Sequence, residues 1–147
     1  MTTYMCFNFK KNTSNKELIF PYQFYRGWYF PIIRFYIAKD QSSTPIGISA
    51  LVDSGANLSI FNKETAEALG FTMSSGRRRS FSGVSGGSYG YAHQIYFDVL
   101  GVKFQDEVIF SSDMGAYFNL IGRESFFSQF NRICFDENNR QTILIKK

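Results

Sequence analysis

One acid in this chain closes an apolar run. In "SALVDSGANLSIF", residues 49 to 61, Asp53 follows Ala50, Leu51 and Val52 and precedes Ser54 and Gly55, after which the chain turns apolar again. A carboxylate in that setting ends partly buried, where ionisation is disfavoured unless something nearby holds the charge. A second carboxylate at short range gives one answer. Like charges cannot both ionise, so the pair shares a proton: one member acts as general base on a water while the other donates to a carbonyl. Other chemistries are poorly supplied. The one histidine, His93, belongs to no Ser, His and acid constellation, and neither Cys6 nor Cys134 lies in a reactive motif or at metal-ligand spacing. With a single acid of this kind, the domain needs a second copy of itself to make the pair.

A second motif sharpens the reading. "ALVDSGANLSIF" (50 to 61) resembles the catalytic signature of aspartic proteases, and "NLIGRESFF" (119 to 127), about seventy residues later, resembles the Gly-Arg motif of the retroviral-type, single-lobe members, the retropepsins. The glycine-rich stretch from Gly83 to Gly90 lies between them, in the order that family requires, and the resemblance covers residues 28 to 146. It implies that Asp53 is the catalytic acid, paired with its own copy across a two-fold axis, and that the Ser54 hydroxyl braces the two active-site loops across that axis. Gly55, next to Ala56, would let the backbone approach closely and present its amide to the carboxylate or the substrate. Gly83, Val84, Ser85, Gly86 and Gly87 would form the tip of a flap that closes over an extended peptide, to which Asn57 also contributes, and Gly122 with Arg123 would hold the dimer near the site. Leu51, Leu58 and Ile60 are candidate pocket residues. Two departures stand out. Retroviral members usually have an acid where Asn57 stands, so the partner of Arg123 is open, and Glu124 replaces the Asn or Asp common there.

These motifs need elements to hold them. "WYFPIIRFYIA" (28 to 38) reads as a strand with Pro31 near its start, "DQSSTPIG" as a loop, and "ISALV" as the strand that delivers Asp53. Asn62 is placed to cap a short helix that Thr65 to Leu69 continue and Gly70 stops. From 71 to 110 the pattern is a long hairpin followed by another with a turn at Gly101. "YFNLIG" is a buried strand, "RESFFSQF" a short helix with Arg123 at its start, and "RICFDENNRQTILIK" a hairpin turning at Asp136 to Arg140. Residues 50 to 71 and 118 to 135 echo each other as strand, Gly turn, helix and return strand, and only the first copy keeps the acid. The expected fold is mostly β and single-layered with two short helices: a retropepsin-like acid-protease domain over 28 to 147, active as a two-fold dimer. Residues 1 to 27 form an extension of unknown role, a hairpin, an interface arm or a propeptide.

Composition narrows the classes. With 147 residues, 44% apolar content, 17 Phe and 9 Tyr, the chain can bury one core and is not a disordered tail. A net charge of +4 is spread along the chain except at Arg77, Arg78 and Arg79. Three arginines without interleaved aromatics suit a solvated loop better than a nucleic-acid site. No run approaches the roughly 18 apolar residues needed to span a bilayer, and two distant cysteines fit a reducing compartment. The sequence therefore predicts a cytoplasmic aspartic endopeptidase that acts on extended peptides as a homodimer. No metal, organic cofactor, nucleic acid or membrane is expected. The competing classes are a non-catalytic retropepsin-like dimerisation or peptide-binding module and a basic nucleic-acid-binding domain.

Overall fold

The computed structural model of the chain describes residues 16–83, 86–114 and 118–147. Its strands are β1 Glu17–Pro21, β2 Gln23–Tyr25, β3 Trp28–Phe30, β4 Ile32–Ala38, β5 Ile46–Val52, β6 Ile60–Asn62, β7 Arg77–Gly83, β8 Gly86–Val99, β9 Val102–Ser111, β10 Asn119–Ile121, β11 Arg132–Asp136 and β12 Gln141–Ile145. One α-helix, α1 (Lys63–Ala68), and two 3-10 turns, Met73–Ser75 and Phe127–Gln129, complete the described elements.

Local chemistry accounts for several boundaries. Asn62 adopts an extended backbone before α1, and its Oδ1 accepts from Thr65 N at 2.8 Å, which satisfies one of the free amides of the first turn. Gly70 ends the helix at φ +76°. Leu100 and Gly101, both at positive φ, make the two-residue turn that matches the twist of β8 and β9, with Val99 paired to Val102. Pro31 has no amide to give a ladder, and it splits the expected strand 28–38 into β3 and β4. Its carbonyl still accepts from Val52 N at 2.9 Å.

The main sheet runs β4-β5-β10-β6-β9-β8-β7. It is not the single layer that the sequence suggested. β4 also pairs with β8, through Tyr36 with Asp98, Ile37 with Phe97 and Ala38 with Tyr96, so six strands close into a ring and β7 stands outside it. The accumulated twist of short strands makes such closure natural and leaves fewer open edges. Much of the phenylalanine content faces inward. Phe97 stacks on Phe35 and Phe104 at centroid separations of 5.8 and 4.8 Å, Phe126 meets Phe35, Phe97 and Phe130, and Phe61 meets Phe110.

A second sheet, β1-β12-β11, gathers both ends of the described chain. Glu17–Pro21 pairs antiparallel with Gln141–Ile145, and Leu18 and Phe20 are buried among the core residues. The short hairpin β2-β3 is braced against the loop before β10 by Tyr25 and Phe30 on the Phe118 ring, at 5.1 and 5.7 Å. Residues 1 to 15 of the expected extension lie outside the described residues. Three further differences from the sequence reading appear. "RESFFSQF" is a series of turns ending in the 3-10 turn Phe127–Gln129, so no α-helix begins at Arg123. Arg77 to Arg79 open strand β7, where Arg77 and Arg79 reach Glu107 and the Arg78 guanidinium lies 4.2 Å from the centre of the Tyr89 ring. Cys134 is disulfide-bonded, where the sequence reading had set the cysteines in a reducing compartment. No described helix is long and apolar enough to cross a membrane.

Candidate active site

β5 delivers Asp53, and β10 delivers Gly122 and Arg123. These two strands lie side by side and parallel, with Ala50, Leu51 and Val52 opposite Asn119, Leu120 and Ile121. The two halves of the sequence echo are therefore neighbours in space. At the ends of the strands the main chain crosses from one motif to the other: Asp53 N donates to Ile121 O (3.1 Å), Arg123 N to Ala56 O (3.0 Å) and Glu124 N to Asn57 O (2.8 Å).

Gly122 sits where only glycine fits. A Cβ there would lie 2.6 Å from Leu58 O and 2.9 Å from Ala56 O, both main-chain atoms that cannot swing aside. Beneath this contact lies a buried pair that the sequence did not single out. Ser59 Oγ accepts from Gly122 N at 3.0 Å and from Ser125 Oγ at 2.6 Å, while Ser125 Oγ accepts from Ser59 N at 3.1 Å. Ser59 is 1% exposed and Ser125 4%. Each hydroxyl satisfies a group on the other motif by a direct bond, so the two loops are held in register.

Asp53 itself is half-buried, as its apolar lead-in implied. Its carboxylate turns back on its own loop, where Oδ1 accepts from Gly55 N at 2.9 Å, and Ala56 N donates to Asp53 O at 3.2 Å. A Cβ on residue 55 would lie 3.2 Å from that carboxylate oxygen, which fits glycine at the tightest point of the turn. Ser54 is exposed, and its hydroxyl meets no partner among the described residues of one chain. The open question about Arg123 has a local answer: its Nη2 donates to Asn57 Oδ1, so the two exposed side chains tie the outer ends of the motifs together. No ion pair to Arg123 occurs among the described residues.

These loops form the floor of a cleft of about 750 Å³. Asp53, Gly55, Ala56, Asn57, Leu58 and Ile60 line one side, and Ser80, Phe81, Ser82, Gly83, Gly86 and Ser88 of the β7-β8 hairpin line the other. Gly83 pairs with Gly86 near the hairpin tip, and Gly87 pairs with Ser82. Val84 and Ser85 lie outside the described residues. Of the expected pocket residues, Leu58 and Ile60 face the cleft, whereas Leu51 is paired within the sheet between Ile32 and Leu120 and does not line it. Asp113, Met114 and Leu120 do line it and were not anticipated. His93, in β8, is a packing residue: its ring meets Phe71 and Phe110, and Nε2 lies 2.8 Å from Met73 O.

A family profile described as aspartyl protease matches residues 43–124, more than half of the chain and all of the loops just described. The chain belongs to the aspartyl protease family. No curated protein sequence matches this aspartyl protease. Among solved structures, it is similar to a retropepsin-like aspartic protease from Rickettsia conorii, with 19% identity, a TM-score of 0.64, and coverage of 87% of this chain and 89% of that one. It is also similar to EIAV protease complexed with the inhibitor HBY-793, with 18% identity, a TM-score of 0.51, and coverage of 69% and 89% respectively. At these identities the likeness establishes the fold, and that fold is retropepsin-like.

Proposed function

We propose that this aspartyl protease is a homodimeric endopeptidase that cleaves extended peptides with a dyad made of one Asp53 from each chain. The observation that carries the reading is the placement of Asp53: half-buried in a cleft that the β7-β8 hairpin also lines, with Oδ1 already held by the Gly55 amide, inside the segment that matches the family. One chain supplies one such loop, so a symmetric second copy would complete the pair.

In that dyad the two carboxylates share a proton. The ionised one takes a proton from a water, whose oxygen attacks the scissile carbonyl carbon, and the protonated one donates to the carbonyl oxygen. The resulting tetrahedral species collapses as a proton passes to the leaving amide nitrogen, and the dyad returns to its singly protonated state. The β7-β8 hairpin, with Gly83, Gly86 and Gly87, would act as the flap. Ser54, whose hydroxyl has no partner among the described residues, would brace the two loops across the axis. Gly122 and Arg123 would act through the first motif, Gly122 by close packing and Arg123 by its bond to Asn57, to hold the loop geometry on which the dimer contact depends. Activity would be bell-shaped on the acid side of neutrality, because a coupled carboxylate pair must hold one proton and not two or none.

The test is mass-spectrometric detection of fragments from a complex peptide mixture, from acid to neutral pH, with wild type and Asp53→Asn compared as folded proteins. Cleavage by wild type alone is the expected outcome, with a loss of roughly 10²–10⁴-fold in the variant. Cleavage that survives Asp53→Asn would sink the mechanism, and folded dimers that bind peptides without cutting would favour a binding module.

A further inference from the structure

The cleft has a second carboxylate that the dyad does not use. Its described lining contains Asp53 and Asp113 and no lysine, arginine or histidine, on a chain whose formal net charge is +4. Asp113 follows the end of β9, and two serines fix it. Its amide donates to Ser111 Oγ at 3.1 Å, and that hydroxyl, 1% exposed with its residue, donates in turn to Tyr89 O at 2.8 Å. Its Oδ2 accepts from Ser88 Oγ at 2.8 Å, and the same hydroxyl lies 3.4 Å from Asp113 O. Both Tyr89 and Ser88 belong to β8, the strand whose first residues line the cleft. Asp113 is thus held at a set position relative to the hairpin, and its other oxygen, Oδ1, has no hydrogen-bond or ionic partner among the described residues.

We propose that Asp113 makes the enzyme select peptides that carry a lysine or arginine at the substrate position reaching this wall. The inference rests on reading the cleft as a peptide site. An ammonium or guanidinium group satisfies the open carboxylate oxygen, while the methylenes of the same side chain lie along apolar lining such as Met114 and Phe81. Asp113 is an exposed residue, so a neutral side chain forgoes this pairing without a burial penalty, and the preference is correspondingly modest. Asp113 is a specificity residue, distinct in position and task from Asp53.

The experiment uses peptide pairs identical except for lysine or norleucine, with the varied residue moved through each position around the cleavage site. Cleavage is measured as kcat/KM, and uncleavable reduced-amide versions are measured by fluorescence anisotropy at low and high salt. At one position the lysine peptide should be favoured about fivefold, the worth of a partly exposed ion pair. The preference should shrink with salt, disappear in Asp113→Asn and persist in Asp113→Glu. Equal treatment of both peptides at every position, or a preference that survives Asp113→Asn, overturns the proposal; so does a wild-type preference indifferent to salt, a readout that holds even if the variant does not fold. Selective binding without cleavage upholds this inference and removes the peptidase reading, whereas cleavage without preference does the reverse. Neither binding nor cleavage of any peptide overturns both.

Discussion

Gly122 donates its amide to Ser59 Oγ at 3.0 Å, from the loop of the second motif to the strand entrance of the first. Ser59 also receives the Ser125 hydroxyl, so one buried side chain holds two groups from the facing segment. The site is positioned by a polar contact, in a region where most neighbours are apolar.

Ser59→Ala therefore strands a buried main-chain N–H and a buried hydroxyl together. Loss of stability by about 1–3 kcal/mol is expected. Urea unfolding of the two proteins checks it, and a change below a few tenths of a kcal/mol would show that the loops do not depend on this pair.

Gly122→Ala tests the packing above the same contact. The new methyl meets two carbonyl oxygens of the first motif, at 2.6 and 2.9 Å, and neither can move without shifting the Asp53 loop. A cost of about 1–3 kcal/mol is expected from overpacking. Calorimetric melting reads it directly, with peptide cleavage falling alongside.

Asn57→Asp turns the Arg123 contact into an ion pair. Both side chains are exposed, so the gain at neutral pH and low salt should be only about 0.2–1 kcal/mol. It should fade in high salt and again as acid protonates the new carboxylate. A large, salt-independent gain would mean that the guanidinium is less hydrated than its exposure indicates.

Asp136, the last residue of β11, gives a pH dependence. The Asn139 side-chain amide and then the Asn139 N–H hold its carboxyl below the ordinary carboxylate value. A depressed folded value stabilises the protein above the unfolded value, about 3.9, and that contribution is lost as pH falls through the folded value. The melting difference between wild type and Asp136→Asn should narrow from about pH 4 downward. A constant difference across that range would exclude the linkage.

Much of the site was legible because its signals are local. The apolar run into Asp53, the Asn62 cap, the Gly101 turn and the order of the two motifs each lie within a few residues of what they specify. What escaped depends on pairing at a distance. Ser59 and Ser125 are ordinary serines until β5, β6 and β10 come together, and no period in the sequence marks them. The same holds for the pairing of β1 with β12, the closure of β4 on β8, and the Arg77 and Arg79 contacts with Glu107, which turn an apparent loop into a strand. "RESFFSQF" has apolar spacing that a helix could use, but the burial of Phe126 and Phe130 is met by turns whose amides reach back to Gly122 and Arg123. Asp113 was passed over since nothing in "SSDMG" distinguishes a cleft acid from a loop acid.

Strand β8 runs unbroken for 14 residues, from Gly86 and Ser88 in the lining of the cleft to the seam where the ring closes on β4. Partway along it Gly90 lies so close to β9 that a Cβ would stand 2.5 Å from Phe110 O. Cleft lining and seam thus share one continuous strand, pressed against β9 at Gly90. A disturbance at the seam, around Phe97 and Ile37, therefore has a covalent route along one strand to the residues that line the cleft.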